Sequence, residues 1–221
     1  IILFPLYIIL LLVRLFKGRE NLTSLKSRFA IYKQKRRKKK IIWVHAASVG
    51  ESMIAITLVN ELKKKYQSLD FLVTTGTLSS AIIINKWLPN GVYHEFTPVD
   101  NFFIVRRFYK YWQPILGIFI ESDIWPTLVS CSARKCKLLL LNARLSDRSF
   151  QNWQNFPKIF QLLTHFFSYI AVQSKVDLKK YQSLGCHNVE NLGNIKFANK
   201  KLQINEQEVG SLKKLFKNKK I

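Results

Sequence analysis

The chain has 221 residues, 48% of them hydrophobic, and a mean hydropathy near zero. That is enough apolar material for one domain with a real core, and too much for a disordered chain. Lys and Arg total 36 against 13 acids, a formal net charge of +23, so the partners to expect are anionic: nucleic acid, an acidic membrane surface or a phosphorylated substrate. A lysine- and isoleucine-rich source composition accounts for part of the same excess. Cys131, Cys136 and Cys186 are too few and too uneven for a disulfide framework, which fits reduced thiols in a cytosolic compartment. No His pair stands near Cys131 and Cys136, so no zinc site is expected.

The run from Ile1 to Val13 is continuously apolar and is closed by Arg14. It is shorter than the roughly 20 residues that cross a bilayer. Its basic flank follows the apolar run, the reverse of a signal peptide. From Arg14 to Lys40 there are 12 Lys and Arg and one acid, Glu20, a bias that holds a flank on the cytoplasmic side. The expectation is an anchor helix over residues 1–16, a basic juxtamembrane segment over 17–40, and a body on the cytoplasmic side of the membrane. A buried core helix is the alternative. The stretch KQKRRKKK, 33–40, reads as a nucleic-acid arm or as a contact with anionic headgroups. Its place after an apolar run favours headgroups, at about 1 kcal/mol per basic residue near the surface.

From Ile41 the pattern changes to short apolar runs alternating with amphipathic ones. Strands are expected at IIWVHA (41–46), DFLVTT (70–75), VYHEFTP (92–98), PILGIFIE (114–121), KLLLLNA (137–143), SYIAVQ (168–173) and NVENLGN (188–194). Helices are expected over 51–66, 78–88, 101–112, 124–134, 156–167 and 175–184. Fully apolar strands separated by helices predict an α/β fold, a Rossmann-like doubly wound parallel sheet over residues 41–200. Ligands of such sheets bind beyond the carboxyl ends of the strands, so the polar residues there are the candidates.

HAASVGE brings Ser48, Gly50 and Glu51 to the first strand end, and VTTGT brings Thr75 and Gly76 to the second. Small residues leave room for a ligand, and glycine permits a tight turn or close backbone approach. Glu51 opens a helix, where an acid is favoured by the macrodipole alone. Facing a cleft, the same carboxylate can take a proton from a hydroxyl. ESDIWP supplies Glu121, with Asp123 as a possible helix cap. NARLSDRS sets Arg144 and Arg148 four apart around Asp147. If helical, they share a face and can clasp a phosphate; otherwise they belong to a solvated turn with an internal Arg–Asp pair. GNIKF places Lys196 after the last strand. There is no dinucleotide or P-loop glycine pattern, no hydrolase elbow and no metal-ligand spacing among the four histidines, so neither cofactor nor metal is expected. A nucleic-acid partner rests on charge alone, without a recognised module.

In this order, IWVHAASVGE, LVTTGT, ESDIWP, LNARLSDRSF, AVQS and LGNIKF resemble the N-terminal half of the 3-deoxy-D-manno-octulosonic acid (Kdo) transferases, from residue 1 to about 200. The resemblance implies the N-terminal, acceptor-binding domain of a GT-B glycosyltransferase. It implies CMP-Kdo as donor, lipid IVA, the lipid A precursor, as acceptor, inversion at the anomeric centre and no metal. It makes Glu51 the general base, and Glu121 and Lys196 transition-state or positioning residues. Ser122 and Asp123 depart from the Thr and Glu expected there. Residues 201–221 read as a linker or the start of a second, nucleotide-binding domain that is mostly missing. The expectation is a truncated or split product that binds acceptor weakly and does not turn over alone. The competing reading is a catalytically inactive membrane-associated remnant that only binds anionic lipid.

Overall fold

A computed structural model describes residues 3–33, 35–121 and 124–195. Two helices, α1 (Leu3–Phe16) and α2 (Leu22–Arg28), precede the sheet. The alternating part then runs β1 (Ile41–Ala46), α3 (Val49–Lys65), β2 (Asp70–Thr75), α4 (Leu78–Trp87), β3 (Val92–Phe96), α5 (Phe102–Trp112), β4 (Pro114–Ile120) and α6 (Pro126–Ala133). It continues through β5 (Lys137–Ala143), α7 (Asp147–Gln154), α8 (Pro157–Thr164), β6 (Tyr169–Val172), α9 (Lys175–Ser183) and β7 (Val189–Asn191). The seven strands form one sheet in the order β3-β2-β1-β4-β5-β6-β7, and every pair is parallel. The winding reverses between β3 and β4, so the carboxyl ends of β1 and β4 flank the switch point where such sheets open a crevice.

All six residues of β1 and of β2 are buried, which is why these segments lack alternation. On one face Trp43 meets Phe108 and Phe119, each at 5.0 Å between ring centroids, in the layer that carries α5, α6 and α8. Each such ring buried contributes about 1.5–3 kcal/mol. Gly117 of β4 makes room for it: a Cβ there would stand 2.7 Å from Leu138 Cδ2 and 3.2 Å from Trp43 Cε3. On the other face Val44 and Val73 pack with Ile54, Ala55, Val59 and Ile84, from α3 and α4. Helix starts follow strand ends because capping residues wait there: Ser48, Thr77, Asn101 and Ser174 each accept a backbone N–H of the first turn.

The expected strand series is present, with differences at the edges. Two short polar helices, α2 and α7, fall where none was expected, because seven or eight residues give too little periodicity. The last strand is three residues, and α8 is shorter than its apolar run. No described helix is long and apolar enough to cross a membrane. The anchor expectation therefore meets a 14-residue helix, about 21 Å long, laid against the body. Leu11 is buried, Tyr7 meets Trp125 edge-on at 6.4 Å, and Ile9, Leu12, Val13 and Phe16 face outward. Within the expected juxtamembrane segment, α2 packs on the edge strand, its Ser27 Oγ accepting the Phe96 N–H at 2.7 Å.

Candidate functional site

Ser48 caps α3, which begins at Val49, so Gly50 lies inside the first helical turn rather than in a strand-to-helix turn. The Ser48 hydroxyl accepts the Glu51 N–H at 3.3 Å and donates to Glu51 Oε1 at 2.8 Å. Glu51 Oε2 accepts the Ala47 N–H at 2.7 Å. The side chain is thus held at the tip of β1, only 8% exposed. Burial raises its affinity for a proton above the ordinary carboxylate range, and the nearby Glu121 charge pushes the same way. The bonds from Ser48 and Ala47 and the imidazole of His45 oppose that rise without cancelling it. A carboxylate has about four lone-pair positions. One bond on each oxygen leaves capacity for a substrate hydroxyl.

Across the switch point, Glu121 follows β4. It is 6% exposed and its Oε2 lies 3.1 Å from Arg144 Nε. Its φ is +62°, and that of Asn142, on the neighbouring strand tip, is +56°. Left-handed backbone costs a residue such as glutamate about 1–2 kcal/mol, whereas asparagine tolerates it, so the Glu121 tip holds strain of the kind found at functional sites. The Glu121 N–H donates to Leu141 O at 2.9 Å, and Asn142 Oδ1 accepts the Ile195 N–H at 3.0 Å. Asn142 Nδ2 is buried with no hydrogen-bond partner among the described residues.

The arginine pair expected at the next junction is not on one helical face. Arg144 stands in the loop before α7 and pairs with Glu121, whereas Arg148 is exposed in the first turn of α7. Asp147 pairs with Lys180 at 2.7 Å. Thr75 is fully buried, its Oγ1 2.9 Å from His94 Nε2. Gly76 sits against Ala47, where a Cβ would stand 2.7 Å from the Ala47 carbonyl oxygen. Lys196, Ser122 and Asp123 lie outside the described residues.

A cleft of about 250 Å³ opens at the ends of β1, β2 and β3, lined by Ala47, Gly76 and Thr97 and walled by Tyr7, Arg28 and Trp125. Glu51 stands one residue behind its wall, bonded to Ala47. Sequence reasoning missed what builds this cleft. Arg28, 3% exposed, donates to Gly76 O at 2.7 Å and to Glu20 Oε1 at 2.9 Å. Glu20 also accepts from Arg14 and Ser24, which ties α1 and α2 to the strand tips. Asp100 caps α6 by accepting the N–H groups of Thr127 and Leu128 at 3.2 and 2.6 Å. One arginine in a run of twelve basic residues carries no signal of its own; only the lone acid, Glu20, stood out. Among the described residues no cluster of three His, Cys, Asp or Glu could hold a metal.

The family model described as 3-deoxy-D-manno-octulosonic-acid transferase (kdotransferase) matches residues 23–199, which includes every one of these strand tips. The chain belongs to the Kdo transferase family. It is 46% identical over 220 residues to a 3-deoxy-D-manno-octulosonic acid transferase of Rickettsia bellii, a match that covers 100% of this chain and 53% of that relative. It is 32% identical over 182 residues to the Haemophilus influenzae transferase of that name, covering 80% of this chain and 42% of the relative. A probable mitochondrial transferase of Arabidopsis thaliana is 34% identical over 174 residues, covering 77% and 39%. The chain thus spans about half the length of the Rickettsia bellii relative. Among solved structures, a UDP-N-acetylglucosamine 2-epimerase aligns with a TM-score of 0.50 at 13% identity, over 77% of this chain and 54% of that one. That likeness concerns the fold, an α/β half of GT-B type. Glu51 and Glu121 both lie within the span of the Kdo transferase match.

Proposed function

We propose that this chain is the acceptor-binding half of an inverting glycosyltransferase that moves Kdo from CMP-Kdo to lipid IVA, with Glu51 as general base. The observation that supports it is the placement of two acids, each more than nine-tenths buried, at the tips of the adjacent strands β1 and β4, where the winding reverses, in a strongly basic chain. In the reaction, an acceptor hydroxyl oxygen forms a bond to the anomeric carbon of Kdo as the bond from that carbon to the CMP phosphate oxygen breaks. The hydroxyl proton passes to Glu51 and the electron pair leaves with CMP. A carboxyl group whose proton affinity is raised by burial suits that transfer, and Ala47 and Ser48 hold its oxygens in place.

Glu121, held by Arg144, orders the facing side of the crevice, while Arg148 and Lys196 are the cations available to the leaving phosphate. The cleft lined by Gly76 and Thr77 receives the acceptor sugar, with Tyr7, Leu10 and Trp125 against its apolar portion, while Thr75, fully buried against His94, stands behind it. The outward apolar residues of α1 and the basic stretch before β1 hold the domain on the anionic cytoplasmic face of the inner membrane, where lipid IVA is presented. The donor pocket belongs mostly to the portion of the relatives that this chain does not span. The test is complementation of a Kdo-transferase-deficient strain by this chain, alone and co-expressed with the remaining half of the Rickettsia bellii relative. Growth restored by the pair and not by the chain alone is the expected result. Failure of both, with both proteins folded and present, overturns the proposal in favour of a lipid-binding remnant.

A further inference from the structure

An open groove of about 890 Å³ runs between α5 and α6, on the layer opposite α3 and α4 and apart from the cleft at the strand tips. Its floor is apolar, formed by Val105, Tyr109 and Pro114, all buried. Its rim is cationic. Arg106 and Lys110 are four apart on α5 and so share a face, and Arg134 and Lys135 follow the end of α6. All four are exposed, the lining contains no acid, and none of the four pairs with a carboxylate among the described residues. Four like charges around one concave surface repel each other unless an anion lies between them.

The surroundings select the anion. Phe102, half exposed, lines the groove at the start of α5, and Phe103 beside it is 75% exposed. Trp125, the cap of α6, carries Tyr7 of α1, so the outward apolar residues of that helix lie at the same end of α6. At the opposite end Arg36, from the basic stretch, donates to Tyr111 O and to Gln113 Oε1, and Gln113 lines the groove. Apolar side chains at one end, cations along the rim and a greasy floor match an amphiphile better than a nucleic-acid backbone, which needs an open rail of cations rather than an apolar trough.

We propose that the α5–α6 groove is a headgroup site for an anionic glycerophospholipid. Arg106, Lys110, Arg134 and Lys135 hold its phosphate, and Phe102 and Tyr109 lie against the start of its chains. The site rests on the membrane-surface reading above and is independent of the transfer chemistry.

The test is co-sedimentation of the 221-residue chain with phosphatidylcholine vesicles, with and without phosphatidylglycerol; no CMP-Kdo or lipid IVA is present, so the outcome does not depend on transferase activity. The groove variant carries Arg106→Glu, Lys110→Glu, Arg134→Glu and Lys135→Glu. A charge-matched control carries Lys63→Glu, Lys64→Glu, Lys65→Glu and Lys86→Glu, on α3 and α4. The groove variant is expected to lose at least about tenfold in affinity for phosphatidylglycerol vesicles, and the control less than about threefold. A milder Arg106→Gln/Lys110→Gln variant with an unchanged circular dichroism spectrum is expected to show part of the loss, which separates binding from folding. Equal losses in groove variant and control, undiminished binding by the groove variant, or displacement from the vesicles by millimolar inorganic phosphate would each overturn the proposal.

Discussion

Glu20 Oε1 lies 2.9 Å from Arg28 Nη2, and both side chains are almost wholly out of solvent, at 0% and 4% exposure. Burial alone would raise the Glu20 carboxyl, but hydrogen bonds from Arg28 and Ser24 and the charges of Arg28 and Arg14 outweigh it and hold the group below its ordinary value. The carboxylate is therefore the hub that joins α1 and α2 to Gly76 and the strand tips. Glu20→Ala leaves Arg28 buried without its counter-charge and is expected to cost about 3–5 kcal/mol. Urea denaturation followed by tryptophan fluorescence, with Trp125 reporting the release of Tyr7, measures both the loss and the undocking of α1.

The edge strand β3 holds a compensating pair. Burial lifts the Glu95 carboxyl from 4.5 to about 7, against a weaker opposing bond from Ser27. Burial lowers His94 from 6.5 to about 4. Between pH 4.5 and about 7 native Glu95 binds more proton than the unfolded chain does, so its contribution to stability falls as pH rises. Between pH 6.5 and about 4 the unfolded chain protonates its histidine first, so the His94 contribution falls as pH drops. Over pH 4.5–6.5 the two slopes oppose each other. Glu95→Gln is expected to unmask loss of stability on acidification below pH 6.5, and to raise stability at pH 8 by roughly 3 kcal/mol. His94→Gln unmasks the opposite slope. Urea midpoints across this range check both signs.

Asn142 ties the exit of β7 to the tip of β5 through Ile195. Asn142→Gly keeps the left-handed backbone and loses only that bond, an expected cost of about 1 kcal/mol. Asn142→Ala adds backbone strain and is expected to cost about 1–2 kcal/mol more. The order of the two urea midpoints is the check. Hydrogen exchange at the Ile195 amide should quicken in both variants.

The strand series was legible because a sheet covered on both faces writes itself as short, fully apolar runs, as in IIWVHA and DFLVTT. Glu51 was legible as a helix-start acid beside small residues. The cleft was not. Its making depends on Arg28 and Asp100, whose partners Gly76 and Leu128 lie 48 and 28 residues away. No local pattern marks pairings of that range. The same holds for Arg144, read as half of a helical arginine pair, whose partner is Glu121 on the adjacent strand tip. The N-terminal run was legible as a helix. That it lies along the strand tips follows from Tyr7 and Leu11, hidden within one apolar block, and from Arg14, which closes it.

The central claim is that Glu51 takes the acceptor proton. It is tested most directly by single-turnover transfer of Kdo from CMP-Kdo to lipid IVA, with the remaining half of the Rickettsia bellii relative supplied in trans, comparing wild type with Glu51→Gln. The amide keeps the size of the side chain and an acceptor for the Ala47 N–H, but cannot accept a proton at neutral pH. The account predicts a rate at least about 100-fold lower with lipid IVA binding unchanged. Transfer by Glu51→Gln at the wild-type rate would contradict it.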